Sequence, residues 1–140
     1  MSRADRFTIQ SEKQELYSDF LINFDRNPVT GILAKVVNED AIKSSMRNLI
    51  LTMLTERYYL PHAGSKANAI LFELNDSTAE ESLETSIRYA LRNYEKRAKI
   101  LNINVENILS KDGYVVSIDF DCENIAGGPF NLSMFIKRVR

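Results

Sequence analysis

Cysteine and histidine each occur once, as Cys122 and His62. A lone cysteine can form neither an intrachain disulfide nor a cysteine-cluster zinc site, which is consistent with a reducing compartment. A lone histidine excludes multi-histidine metal sites, and any histidine-based catalysis would rest on one ring. No uninterrupted apolar run reaches the ~20 residues a membrane helix needs. The opening Met1-Ser2-Arg3-Ala4-Asp5-Arg6 lacks the apolar core of a signal peptide. A soluble chain with no membrane partner is therefore expected. A basic surplus is also missing: 18 Lys plus Arg stand against 19 Asp plus Glu, a formal charge of −1. Phosphate contacts dominate nucleic-acid affinity, so a general polyanion binder is not expected and only a local basic patch stays open. No GxGxxG, GxxxxGK[ST] or HExxH pattern occurs. These absences weigh against an enzyme and against a cofactor.

What is present suits one domain over residues 1–140, because 140 residues can bury roughly two-thirds of their unfolded surface without disulfide or metal support. Residues 1–16 are polar and read as an arm. Tyr17 to Phe24 and Ile32 to Val37 are apolar runs around the turn signal Asn27-Pro28-Val29-Thr30-Gly31, which predicts a hairpin over 17–37. Helices fill 38–98. Asn38 can cap the first, with Glu39 and Asp40 in its first turn and a stripe at Ile42, Met46, Leu49, Ile50, Met53 and Leu54. Ser65 can cap a short second helix presenting Ile70, Leu71 and Leu74. Thr78-Ala79-Glu80-Glu81 reads as a capping box opening the third, striped by Leu83, Ile87, Ala90, Leu91 and Tyr94.

From about Lys99 the period changes to two. Leu101, Ile103 and Val105 form one alternating set, Tyr114, Val116, Ile118, Phe120 and Cys122 a second, and Phe130, Leu132, Met134 and Ile136 a third. The predicted fold class is α+β: a helical middle packed on a C-terminal antiparallel β-sheet over 99–140, with a short N-terminal hairpin.

Each cluster that could carry chemistry has a structural explanation beside it. Asp119, Asp121 and Glu123 share one strand face, which is the polar face an alternating strand must have. Glu80, Glu81 and Glu84 complement a helix dipole. Cys122 falls with the apolar set, Gly127-Gly128-Pro129 reads as a turn, and Lys137-Arg138-Val139-Arg140 is a short basic end. Glu95-Lys96-Arg97 stands apart, at the junction of the third helix and the sheet. Bases there complement the helix C-terminus and Glu95 can pair with Lys99, yet a carboxylate beside a guanidinium also suits forked docking onto a partner. No metal or catalytic set is nominated.

Four passages give the chain a resemblance. They are Tyr17-Ser18-Asp19-Phe20; Asn48-Leu49-Ile50-Leu51-Thr52 with Glu56-Arg57; Pro61, Gly64 and Leu71-Phe72-Glu73; and Tyr94-Glu95-Lys96-Arg97 before Ile100. In this order the chain resembles the baseplate wedge proteins of contractile-tailed phages, the sheath-initiator family that has a type VI secretion counterpart. The resemblance implies a structural virion protein of the tail baseplate, made in the host cytoplasm and present in ring-symmetric copies. Its implied partners are the core helical bundle of the other wedge subunits, the tail sheath protein, and neighbours in the tube or hub.

Glu95, Lys96 and Arg97 would inherit the family's Glu-Pro-Arg docking junction. Tyr114, Val116, Ile118, Phe120, Phe130, Leu132, Met134 and Ile136 would be the sheath-contact strands, templating the first sheath ring by β-augmentation. Two departures stand out. Lys96 replaces the proline, so the charged pair survives without the φ restriction. The loop before Glu56-Arg57 carries Met53-Leu54-Thr55 where the family has a glycine, so the helix runs on or the turn is built differently. The rival functions are a cell-wall lysozyme-like hydrolase, an activity attributed to members of the family, and a small adaptor using an open sheet edge.

Overall fold

The computed structural model describes residues 14–72 and 77–138. Most of the expected arm, together with Glu73, Leu74, Val139 and Arg140, lies outside the described residues. In chain order the elements are β1 (Ser18–Phe20), β2 (Lys35–Val37), α1 (Glu39–Leu51), α2 (Ala67–Ile70), α3 (Ser77–Tyr94), β3 (Lys99–Ile108), β4 (Gly113–Asp121) and β5 (Phe130–Lys137). A 3-10 turn at Leu109–Lys111 joins β3 to β4, closed by Asp112 in the left-handed region.

The hairpin forms as expected. β1 pairs antiparallel with β2, Ser18 opposite Val37, and Asn27 shapes the turn: its Oδ1 accepts the Val29 N–H at 2.9 Å and its backbone bonds Ile32 and Gly31. Asp40, Arg47 and Asn48 of α1 face out, while Ile42, Met46, Leu49 and Ile50 are buried, with Ser44 buried beside them. Asn38 occupies the cap position of α1 but does not cap it. Its Oδ1 accepts the Leu16 and Tyr17 N–H groups, its Nδ2 donates to the Gln14 carbonyl, and its own N–H donates to the Tyr17 carbonyl at 2.7 Å. The side chain latches the strand entering β1 to the start of α1.

The stripe ends sooner than its spacing predicts. α1 stops at Leu51, Thr52 is extended, and Met53 is half exposed in a single parallel bridge to Ser65. The turn is built differently: Thr55 takes φ 71°, and its N–H donates to the Pro61 carbonyl at 2.7 Å. Threonine thus occupies a left-handed position close to where the resemblance anticipates glycine. Gly64 (φ 153°) meets a separate demand, since a Cβ there would lie 2.6 Å from the Thr52 carbonyl. Ser65 accepts the Ala67 N–H at 3.1 Å and donates to the Ile50 carbonyl at 2.6 Å, so it ties the start of α2 to α1, although Lys66 and not Ser65 holds the cap position. α3 begins at Ser77, which places Thr78 inside the first turn rather than at a capping position.

The sheet order is β3-β4-β5, antiparallel throughout, with β4 central. Its inner face is laid in cross-strand rows: Val105–Val116–Met134, Ile103–Ile118–Leu132, and Ile100–Phe120–Phe130. α3 packs along β3, and α1 bridges α3 and β5, so these rows face Leu83, Ile87, Leu91, Met46 and Ile50 across one core. Full burial of each such side chain contributes about 1.5–3 kcal/mol. Leu101 is a correction to the alternation. A bulge between Ile100 and Asn102 adds one residue, so Ile100 turns inward and Leu101 is left half exposed.

Candidate functional site

α3 ends at Tyr94 with the Glu95 N–H still bonded to the Leu91 carbonyl, and β3 starts at Lys99. The turn between them sets Glu95 inward and Lys96 and Arg97 outward. Glu95 is 3% exposed. One of its oxygens accepts Arg97 Nε at 2.7 Å; the other accepts Arg97 Nη2 at 2.6 Å and the Ser45 hydroxyl at 2.6 Å. The pairing with Lys99 considered above is not the one formed.

Burial pushes the Glu95 carboxyl up, but the hydrogen bonds from Arg97 and Ser45 and the Arg97 charge outweigh it, and the pKa is lowered. The Arg97 guanidinium is raised in turn, chiefly by its bonds to Glu95. Glu95 is therefore an ionised anchor rather than a free docking group.

Arg97 stacks with its guanidinium carbon 5.5 Å from the Tyr17 ring centroid, and the Tyr17 hydroxyl accepts Asn124 Nδ2 at 3.0 Å. One cluster thus joins the strand entering β1, α1, the α3–β3 turn and the loop after β4. Tyr17 lies within a passage that carries the resemblance. Ser45 and Asn124 had no signal in the sequence, because nothing local marks a side chain whose partner is 50 or 107 residues away.

The sheath-contact set is placed otherwise than expected. Tyr114, Val116, Ile118 and Phe120 lie on β4, which is paired on both sides, and they are at most 1% exposed. Leu132, Met134 and Ile136 are buried and Phe130 partly so, its ring 5.8 Å from that of Phe120. These side chains are the floor of the core. What faces outward on β5 is Asn131, Ser133, Phe135 and Lys137. β5 runs in unbroken register against β4, and its other edge pairs with no strand among the described residues.

Of the acids expected on the polar strand face, Asp119 accepts Asn131 Nδ2 at 2.7 Å and Asp121 accepts the Cys122 N–H at 2.8 Å. Both are half-buried rather than freely solvated, because β4 is central. Among the described residues no three His, Cys, Asp or Glu side chains group as metal ligands. Burial, with Asp121 adding, pushes the Cys122 thiol up, away from nucleophilic use. No helix of the described residues is long and apolar enough to cross a membrane.

A family model described as baseplate wedge protein gp25 matches residues 36–123, more than half of the chain and inclusive of the whole junction. Among solved structures, a Geobacter sulfurreducens protein provisionally named a tail lysozyme is 21% identical with a TM-score of 0.67, covering 76% of this chain and 98% of its own. A chain of the anti-feeding prophage baseplate is 18% identical with a TM-score of 0.66, covering 79% and 88%. A chain of the post-contraction pyocin R2 baseplate is 14% identical with a TM-score of 0.51, covering 80% and 97%. No curated protein matches. The structural likenesses establish a shared fold, and the family match establishes kinship: the chain belongs to the baseplate wedge protein gp25 family, whose place is the virion tail baseplate.

Proposed function

We propose that the chain is a non-enzymatic wedge subunit that docks on the core helical bundle of its wedge partners and offers the outer edge of β5 to the tail sheath. Docking is supported by the way Glu95 and Tyr17 hold Arg97 in one orientation at the surface. Lys96 lies beside it, exposed, and adds a second charge.

The observation that carries the templating role is the order β3-β4-β5 with its two unlike edges. β3 is bulged at Leu101, and bulges blunt strand addition. β5 is regular, so an extended sheath arm can satisfy its unpaired N–H and C=O groups while outward side chains set register. The sheath-contact role therefore belongs to the β5 backbone rather than to the buried residues of β4.

Hydrogen exchange tests this. In assembled wedges, residues 130–137 gain protection when sheath protein is added. Protection confined to 99–108, or none at all, would remove the templating role.

The lysozyme reading draws on the name of one structural neighbour. A glycosidase needs a carboxyl kept protonated near neutrality opposite a second carboxylate. Among the described residues the buried carboxyl of Glu95 moves the other way, held ionised by Arg97 and Ser45. Purified chain is expected to leave the turbidity of a peptidoglycan suspension unchanged.

A further inference from the structure

The docking role leaves open what chemistry the junction binds. Beside Arg97 lies an open groove of about 570 Å³ between the end of α3, the first residues of β3 and the loop after β4. Arg92, Lys96 and Lys99 line it with Arg97, and all four are exposed. Arg88 adds a fifth cation, paired with Glu84 at 2.7 Å. Among the described residues Glu84, Glu95 and Glu123 oppose them, with Glu84 held by Arg88 and Glu95 by Arg97 and Ser45. Five cations against three carboxylates leave a local charge of +2 in one concavity of a chain whose net charge is −1.

The guanidinium of Arg97 shows how this charge is presented. Glu95 takes the Nε and Nη2 side. The adjacent edge, one N–H on each terminal nitrogen, donates to no protein partner among the described residues and is a second parallel pair matched to a carboxylate. Arg92 lies one helical turn, ~6 Å along α3, beyond Arg88, whose guanidinium Glu84 already holds, so Arg92 is the α3 cation left for a partner carboxylate.

Resting on the docking function above, we propose that this groove binds an acidic segment of another baseplate protein. It would seat one carboxylate on the free edge of Arg97 and further ones along Arg92, Lys96 and Lys99. The groove's own glutamates and its small size favour discrete carboxylates over a continuous phosphate backbone.

Zero-length carbodiimide coupling tests it on intact tail particles, because the reagent forms an amide only where a lysine amine touches a carboxylate. The expected result is Lys96 or Lys99 joined to an Asp or Glu of a different baseplate protein. In parallel, the full-length triple variant R92E/K96E/K99E, checked for native circular dichroism, should enter wedges about tenfold less well, while K35E/K66E/K111E, which reverses three exposed lysines outside the groove, enters normally. The proposal is overturned if other lysines of the particle-bound chain couple between proteins and these two do not. It is also overturned if the triple variant assembles like the parent, or if Lys96 and Lys99 cross-link under ultraviolet light to nucleic acid. Absence of the chain from the baseplate would instead overturn the docking function itself.

Discussion

Glu95 is the residue whose environment most changes its meaning. A carboxylate next to a guanidinium in sequence invites a docking role for both, yet the buried oxygens of Glu95 are committed to Arg97 and Ser45. Because its folded-state pKa is lowered, the stability it contributes is fully present above the unfolded value of about 4.3 and is lost as pH falls through the lower folded value. Glu95→Gln is therefore expected to cost about 1–3 kcal/mol at pH 7, less than for a fully buried pair because Arg97 is partly hydrated. The gap between parent and variant should close as denaturation midpoints are followed down through pH 4. A gap unchanged by acid would mean that the ionised carboxylate is not the stabilising species. At Thr55 the expected sign is opposite. A β-branched residue at φ 71° costs about 1–2 kcal/mol that glycine does not pay in the folded state, partly offset by glycine's freer unfolded chain. Thr55→Gly should raise stability by about 0.5–1 kcal/mol in urea melts.

Between elements, the hairpin is held to the body chiefly by Asn38 and by the stack of Tyr17 on Arg97. Much of its apolar surface, including Phe20, Ile22, Phe24 and Ile32, stays exposed, so little core burial secures it. Asn38 also sits at φ 51°, and two substitutions separate the two roles. Asn38→Gly keeps the backbone and loses the latch, costing about 1 kcal/mol; Asn38→Ala should cost about 1 kcal/mol more through the left-handed backbone. In both, amides of 14–20 should exchange faster while those of β4 change only with global stability. Equal exchange across the molecule would show that the hairpin is not a separate unit. The hairpin, the buried stripes of α1 and α3 and the three strands were all legible from periodicity, because 3.6- and 2-residue repeats reflect each element's own geometry. Asn38 as a latch was not, since capping and latching draw on the same residue type at the same place.

The whole molecule presents a one-sided sheet with its inner face filled and its β5 edge unpaired among the described residues. Such an edge also promotes self-association when partners are missing. Placing a charge on the exposed outer position Ser133, as Ser133→Lys, should suppress concentration-dependent association in sedimentation velocity while moving stability by no more than about 0.5 kcal/mol. A parent chain that stays monomeric at every accessible concentration would count against an adhesive edge. The α+β class, the order of elements and the family kinship could be read from the chain alone, because hydrophobic period, turn residues and short ordered motifs are local properties. Which strand is central, that the expected sheath-contact side chains are core, and that Glu95 is an anchor could not. Those depend on which segments become neighbours: Tyr17 meets Asn124 across 107 positions, and Ser45 meets Glu95 across 50. A strand's edge and a carboxylate's partner do not exist until the chain has folded around them.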